Sequence, residues 1–229
     1  MVHAREVDGR TLHFGHSGWL WRNAYLLYDR ETDSLWHHQT GWAVAGPLRG
    51  RALARFPTSL TTFAAWRAAH PGTLVLPKSA GAPAPTDRDV YADRNALLEF
   101  GLGVDLPGAF RLYRFADVDA AQGCLLDELA GVPVAVVRDA PGRTALAYDR
   151  RRGGDVLRLA AVPGSDPPRV GTPDGVTFDV RTGAADDGGP PLARIFATHW
   201  EAGAWRRQHP NGTEYGGAPG TRGVPGGGR

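Results

Sequence analysis

One stretch of this chain occurs twice. Residues 53–73 are LARFPTSLTTFAAWRAAHPGT, and residues 192–213 are LARIFATHWEAGAWRRQHPNGT. In each copy a tryptophan, Trp66 or Trp205, follows the first leucine by thirteen positions and precedes a His-Pro pair by four. A repeated segment of this length is typical of a duplicated structural unit, in which one copy buries its apolar face against the other.

Two weaker matches precede this stretch, in the same order in both halves. YDRET at 28–32 resembles FDVRT at 178–182, and DGRTLHF at 8–14 resembles GGDVLRL at 153–159. Chance produces one short match more readily than three in the same order. We therefore interpret the repeat as a duplication.

The predicted fold is α+β and mainly β, with antiparallel sheets and few short helices. We expect two degenerate strand-strand-helix repeats related by a pseudo-twofold axis, at about 1–76 and 132–215, joined by 77–131. Together they form a single domain over 1–215. The Gly-rich tail at 216–229 is too poor in apolar residues to offset the entropy of ordering it, so it is predicted to be disordered.

Hairpins are predicted at two places. Apolar runs flank the polar turn at 29–33, and the β-branched run at 132–139 is separated from TALAYDR by a turn at 140–143. Apolar runs joined by short turns of this composition are typical of paired strands.

Helices are predicted at two other places. Thr61-Thr62 can cap the segment FAAWRAAH, which Pro71 ends. At 118–131, Cys124, Leu125 and Leu129 have helical spacing, which predicts a second helix.

Composition excludes several classes of function. The 26 basic and 24 acidic residues nearly cancel and form no positive stripe, so we expect no nucleic-acid partner. Cys124 is the only cysteine, which excludes an internal disulfide and a thiolate-rich metal site. No apolar run approaches the roughly 18 residues of a membrane span, so a soluble protein is predicted.

The N-terminal sequence of the chain as given has no apolar segment of the kind found in signal peptides. This predicts a cytoplasmic protein. Export is expected instead if the true start lies upstream.

A long string at 14–50, FGHSGWLWRNAYLLYDRETDSLWHHQTGWAVAGPLRG, together with TTFAAWRAAHP at 61–71, resembles the domain of unknown function 3179 family. The resemblance continues through PVAVVRD at 133–139 and Trp205, and is looser after residue 160. It implies a bacterial or archaeal protein, often exported in its relatives, with no established reaction.

The chain departs from the family pattern in two ways. Relatives usually begin with a further strand that contains Tyr-Cys-Pro. Its absence predicts either a gene start placed too far downstream or a reduced member that has lost its first strands. Relatives also commonly have Gln near the position of His38, so any site carried over from the family is altered here.

Histidines are the first candidates for chemistry. If the strands at 12–16 and 34–38 pair, His16 and His38 could meet at a transition metal, since imidazole suits zinc, copper, iron and nickel. Neighbouring strand residues point to opposite faces, so only one of His37 and His38 can join such a site. The spacing matches no established ligand motif, and we favour polar strand-face histidines over a metal-binding pair.

Aromatic residues are the second candidates. Trp19, Trp21, Trp36 and Trp42 are four of the seven tryptophans. Such residues usually fill a core, but an exposed subset can line a groove for a sugar or a peptide.

If a binding pocket exists, we expect it beside Trp36 and the polar residues near that strand. The candidate binding residues are Asn23, Asp29, Trp36 and His38.

The remaining reactive groups have structural interpretations. We expect Asp29 to bond the backbone of its own turn, and Asp127 and Glu128 to lie on the exposed face of a helix. Cys124 is interpreted as a small buried apolar residue, because it stands among leucines.

Three functional hypotheses follow. The leading one is a non-catalytic binding module for an unidentified small molecule. The second is a metal-dependent hydrolase or oxidoreductase that uses His16 and His38. The third is a remnant whose missing N-terminal strands made the site.

Overall fold

The structure is a computed structural model that describes residues 2–56, 58–76, 100–141 and 143–216. The chain divides into two compact units, Met1–Thr58 (unit 1) and Ser59–Arg229 (unit 2). Both units are mainly β, as predicted, and the described part contains three short helices. The predicted disordered tail lies outside the described residues, apart from Gly216.

Unit 1 consists of short antiparallel strands. They are β1 (Val2–His3), β2 (Glu6–Val7), β3 (Arg10–Thr11), β4 (Phe14–Trp21), β5 (Ala24–Asp29), β6 (Leu35–His37), β7 (Ala43–Ala45) and β8 (Arg55–Phe56). Strands β4, β5, β6 and β7 form a meander in that order, while β1 pairs with β8 and β2 with β3.

The core of unit 1 surrounds one fully buried tryptophan, Trp36. The buried residues packed with it are Val7, Leu12, Ala43, Leu48 and Leu53. The expectation that tryptophans fill a core therefore holds for Trp36.

The β4–β5 hairpin closes on a two-residue turn. Arg22 and Asn23 have φ values of 49° and 62°, the left-handed conformation that two-residue hairpin turns require at both positions. The pairing register shifts between His16 and Leu20, which marks an irregularity in β4. Such bulges twist a strand locally and re-aim its side chains.

Unit 2 begins with helix α1 (Phe63–Ala69) and contains α2 (Phe115–Ala120) and α3 (Ala202–Gln208). Its strands are β9 (Phe100–Leu106), β10 (Ala109–Arg114), β11 (Cys124–Leu129), β12 (Val132–Asp139), β13 (Thr144–Asp149), β14 (Arg151–Arg152), β15 (Asp155–Val156), β16 (Ala160–Ala161), β17 (Arg169–Gly171), β18 (Thr177–Asp179), β19 (Ala193–Arg194), β20 (Ala197–Glu201) and β21 (Thr213–Glu214).

Two four-stranded sheets form most of unit 2, in the orders β20-β9-β10-β21 and β11-β12-β13-β19. Their pairs are antiparallel except β10 with β21, which is parallel. A three-stranded sheet, β16-β17-β18, and the β14–β15 hairpin complete the unit.

Strand β12 lies between two apolar clusters. Val134 and Val136 pack into one cluster, and Ala135 and Val137 pack into the other. A strand buried on both faces has a continuous apolar sequence instead of an alternating one. This explains the β-branched run, and the predicted hairpin of β12 with β13 is confirmed.

The helix predicted over 118–131 is wrong beyond Ala120. Gln122 and Gly123 take φ values of 55° and 84°, and the Gly123 N–H donates to the carbonyl of Val118 in a helix-ending pattern. Cys124 then starts strand β11, which pairs with β12. The apolar spacing that suggested a helix comes from a strand whose partners are far away in sequence.

The duplicated segments share a local conformation. Helices α1 and α3 are each seven residues long, and each ends at a histidine, His70 or His209, whose N–H donates to the carbonyl of Trp66 or Trp205 at 2.8 Å. The Trp and His ring centroids are 4.1 Å apart in the first copy and 3.9 Å apart in the second.

The surroundings of the two copies differ. Trp66 is 41% exposed, whereas Trp205 is 1% exposed. The boundary between the two units also lies between Thr58 and Ser59. Helix α1, which belongs to the first predicted repeat, is therefore part of unit 2. The likeness therefore extends to the helix and its C-terminal cap but not to what packs around them.

Within the described ranges, no helix combines the length and apolar character needed to cross a membrane.

Candidate functional site

Asp29 and Trp36, two of the predicted binding residues, lie inside unit 1. Both are fully buried, and the Trp36 indole N–H donates to Asp29 Oδ2 at 2.7 Å. Asp29 Oδ1 also accepts the Thr32 N–H at 2.6 Å, which confirms that this aspartate bonds the backbone of its own turn. These contacts give both residues a structural role beneath the surface of the unit.

The other two predicted residues are accessible. Asn23 is exposed in the β4–β5 turn, and His38 is half-buried just after β6. The structure therefore brings Asp29 and Trp36 together in the core and leaves Asn23 and His38 at the surface.

An exposed tyrosine, Tyr25 on β5, brings together the two histidines proposed as metal ligands. The His38 ring stacks on the Tyr25 ring at a centroid distance of 3.6 Å and an interplanar angle of 9°. The His16 ring lies 5.2 Å from the same tyrosine ring at 30°. We call His16, Tyr25 and His38 the imidazole–phenol stack.

A backbone hydrogen bond fixes the tautomer of His38. Its Nδ1 lies 2.8 Å from the Tyr25 carbonyl oxygen, and because a carbonyl only accepts, Nδ1 carries the proton. In the neutral ring Nε2 is then an acceptor. Partial burial lowers the pKa of His38, which outweighs the opposing effect of the carbonyl and favours the neutral form near pH 7.

His3 holds the segment that carries His38. Its Nε2 donates to the His38 carbonyl oxygen at 3.1 Å, and its ring packs so closely on Gly41 that a Cβ there would lie 2.8 Å from the ring. Gly41 also has a φ of 75°, which favours glycine. Burial lowers the pKa of His3, so it too is neutral near pH 7.

His37 is fully buried and separate from the stack's outer surface. Its Nδ1 lies 2.9 Å from the Thr40 hydroxyl oxygen and accepts the Thr40 N–H at 3.3 Å. The Trp21 ring meets it edge-on at 5.5 Å. As predicted from strand alternation, His37 and His38 have different environments.

A metal site at His16 and His38 would need further ligands. Zinc sites in proteins normally have three or more protein ligands. Among residues 2–56, 58–76, 100–141 and 143–216, no group of three or more His, Cys, Asp and Glu side chains is arranged to hold a metal ion. Contacts with Tyr25 account for the positions of both imidazoles.

Asp127 was predicted to lie on an exposed helix face, and this is wrong. It lies on strand β11, where its Oδ2 accepts from Arg111 Nη1 at 2.6 Å and from the Tyr113 hydroxyl at 2.8 Å. Burial, followed by the charge of Asp127, raises the pKa of Tyr113. This is a structural ion pair with a buried phenol.

Cys124 is buried, and burial raises the pKa of its thiol to about 12. The thiolate is the reactive form of cysteine, so this thiol is unreactive at neutral pH. The interpretation of Cys124 as a small buried residue is confirmed.

A partly buried histidine in unit 2, His199, was not among the residues predicted from the sequence. His199 Nε2 lies 2.7 Å from the Thr144 hydroxyl oxygen, and the Phe115 ring meets the imidazole edge-on at 5.6 Å. Burial, then the charges of Arg138 and Arg194, lower the pKa of His199 to about 4. The equivalent position of the first copy is Leu60, so the repeat gave no signal for this residue.

The family described as "Protein of unknown function (DUF3179)" matches residues 1–99. The predicted resemblance is confirmed over this stretch, which contains the whole imidazole–phenol stack. Neither the curated proteins nor the solved structures searched contain a match to this chain.

Proposed function

We propose that this protein is a non-catalytic binding module whose ligand contacts the imidazole–phenol stack of unit 1. The observation that carries the proposal is the position of Tyr25, an exposed ring stacked on one imidazole and close to a second. Protein domains usually bury their large aromatic rings, so a group of three rings in contact, with Tyr25 and His16 exposed and His38 half-buried, is a candidate contact surface.

The stack offers aromatic faces and a few polar atoms. The neutral ring of His38 presents Nε2 as an acceptor, and the Tyr25 hydroxyl can donate or accept. The exposed Asn23 amide, in the turn next to Tyr25, would extend the polar edge. A small ligand with one apolar face and several hydroxyl or amide groups, such as a sugar or a short peptide, fits this chemistry.

In this proposal Asp29 and Trp36 would stabilise the site from the core of unit 1. Their hydrogen bond joins the end of β5 to β6, and β5 carries Tyr25. They would act by fixing the strands, not by touching the ligand.

The test is calorimetric titration with two defined probes, methyl β-glucoside and a blocked Gly-Phe-Gly peptide. We expect one probe to bind, and His38→Ala to weaken its binding at least about tenfold through loss of a stacked ring. The matched control is His13→Ala, because His13 is an exposed histidine bonded to Glu31 and lies outside the stack. Equal affinity of wild type and His38→Ala would contradict the proposal, as would no binding of either probe.

The enzyme hypothesis makes a different prediction. A metal-dependent hydrolase or oxidoreductase that uses His16 and His38 requires stoichiometric transition metal in the purified protein, lost on His38→Ala and kept on His13→Ala. Metal analysis of the three proteins separates it from the binding module.

We also infer that the chain arose by duplication of one strand-strand-helix unit. Two pairs of turns support this, in addition to the helices. The β2–β3 and β14–β15 hairpins both have two-residue turns with positive φ. The Asp29 and Asp179 carboxylates both accept the N–H of the threonine three positions later, at 2.6 and 2.8 Å.

A further inference from the structure

The end of the β4–β5 hairpin exposes three consecutive large apolar residues. Trp19 is 68% exposed, Leu20 69% and Trp21 39%. We call these residues the apolar tip. Hairpin ends on soluble proteins are usually polar, and neighbouring apolar residues at a protruding loop are typical of a binding surface.

Backbone contacts hold the apolar tip in place. The Ser17 hydroxyl donates to the Leu26 carbonyl at 2.7 Å and accepts the Trp19 N–H at 3.1 Å. The left-handed turn at Arg22 and Asn23 closes the hairpin just beyond Trp21. The tip is thus ordered by its backbone, while the Trp19 and Leu20 side chains extend outward.

The exposure is not explained by strand alternation. Neighbouring residues on a strand point to opposite faces, so a strand with one buried face would bury either Trp19 or Leu20. Both are exposed, and they follow the β4 irregularity between His16 and Leu20, where side chains no longer alternate regularly between the two faces.

The charged residues in the sequence on either side of the apolar tip have one sign. Between Asp8 and Asp29 the sequence contains no Asp or Glu, and its formally charged residues are Arg10 and Arg22. The Arg22 guanidinium lies over the Trp21 ring, 4.5 Å from its centroid. The tip therefore combines exposed indoles with one guanidinium, that of Arg22, and its stretch of sequence contains no carboxylate.

We propose that the apolar tip inserts into the interfacial layer of an anionic lipid bilayer. Tryptophan favours the headgroup level of a membrane, a leucine beside it buries apolar area in the acyl boundary, and arginine pairs with lipid phosphate. The absence of acidic residues from positions 9–28 favours an anionic lipid surface over a partner that would need salt bridges to its basic groups. This inference does not require ligand binding at the imidazole–phenol stack, although Leu20 pairs with Tyr25 across the hairpin.

The test is co-sedimentation of the full chain with lipid vesicles. One set contains phosphatidylcholine alone, and in the other about one lipid in four is phosphatidylglycerol. We expect binding to the anionic set, reduced at least about tenfold by Trp19→Ser combined with Leu20→Ser. Arg22→Gln should weaken binding to anionic vesicles about fivefold.

Leu60→Ser is the matched control, because Leu60 is 63% exposed and lies in unit 2. It should bind vesicles like wild type, as should His38→Ala, which separates this inference from the proposed ligand site. Circular dichroism checks that each variant is folded.

Three results would overturn the inference. They are no binding of wild type to anionic vesicles, undiminished binding of the Trp19/Leu20 double variant, and a wild-type dimer in sedimentation velocity that this double variant abolishes. The last result would assign the tip to a contact between two copies of the chain.

Discussion

Two residues of unit 1 that were predicted together have different positions in the structure, one in the core and one at the surface. Asp29 and His38 were both predicted to line a pocket. Asp29 is buried and bonded to Trp36, whereas His38 is at the surface, stacked on Tyr25. Residue type and position along the strands do not distinguish these outcomes. Whether each side chain is buried depends on the face of the sheet to which it points, which is set by the β4 irregularity and the β5–β6 turn.

Asp29→Ala should destabilise the protein strongly. The carboxylate accepts from the Thr32 N–H, the Thr32 hydroxyl and the Trp36 indole, and its loss would leave these groups without their acceptor in the interior. We expect a loss of about 3 kcal/mol in the free energy of unfolding, measured by urea denaturation. Asp33→Asn is the control, because Asp33 is exposed and Asn tolerates its φ of 55°. A loss below about 1 kcal/mol in Asp29→Ala would refute this role.

His199 should make stability depend on pH. Its pKa is about 4 in the folded state, against an ordinary value of 6.5, so between these values the unfolded chain binds a proton that the native protein does not. The free energy of unfolding therefore has its full value, as far as His199 is concerned, above pH 6.5. It falls by up to about 3 kcal/mol as the pH falls toward 4.

Denaturation of wild type and His199→Gln across this pH range measures the effect. The variant should lose stability less steeply than wild type as the pH falls. Identical slopes would show that His199 does not carry the dependence.

Elements with local signals could be predicted from the sequence. The hairpin around 29–33 and helix α1 were identified because their turns and caps lie within a few residues of each other. The helix predicted over 118–131 was wrong because β11 forms through pairing with β12, and apolar spacing over six residues suits either structure. The contact between His38 and Tyr25 was not predictable, since it depends on the register of two strands.

Helices α1 and α3 provide a matched comparison of an exposed and a buried copy. Trp205→Ala should cost about 3–5 kcal/mol in the free energy of unfolding, as expected for a buried tryptophan. Trp66→Ala should cost about 1 kcal/mol or less, because its ring is largely outside the core. Thermal or urea unfolding of both variants gives the comparison. Equal costs would contradict the different surroundings of the two helices.

At the scale of the whole molecule, the repeat and the compact units follow different divisions of the chain. The repeat is most evident in the helices, where local sequence fixes the conformation. The units are set by long-range strand pairs, such as β1 with β8, which joins residues 2–3 to 55–56 within unit 1. A single sequence carries little information about such long-range pairs, so the mainly β class was predictable and the division into units was not.

The imidazole–phenol stack lies within unit 1 and within the stretch that matches the family. Its three rings come from β4, β5 and the residue after β6, and His3 of β1 bonds the backbone of His38, so strands of unit 1 position all three rings. We therefore expect any ligand of the proposed site to contact residues of the β4-β5-β6-β7 sheet.

Intermolecular nuclear Overhauser effects between the bound probe and the protein test this claim most directly. We predict contacts from the probe to the Tyr25 and His38 ring protons, absent in His38→Ala and retained in His13→Ala. Contacts confined to residues of unit 2, with none to Tyr25, would contradict it.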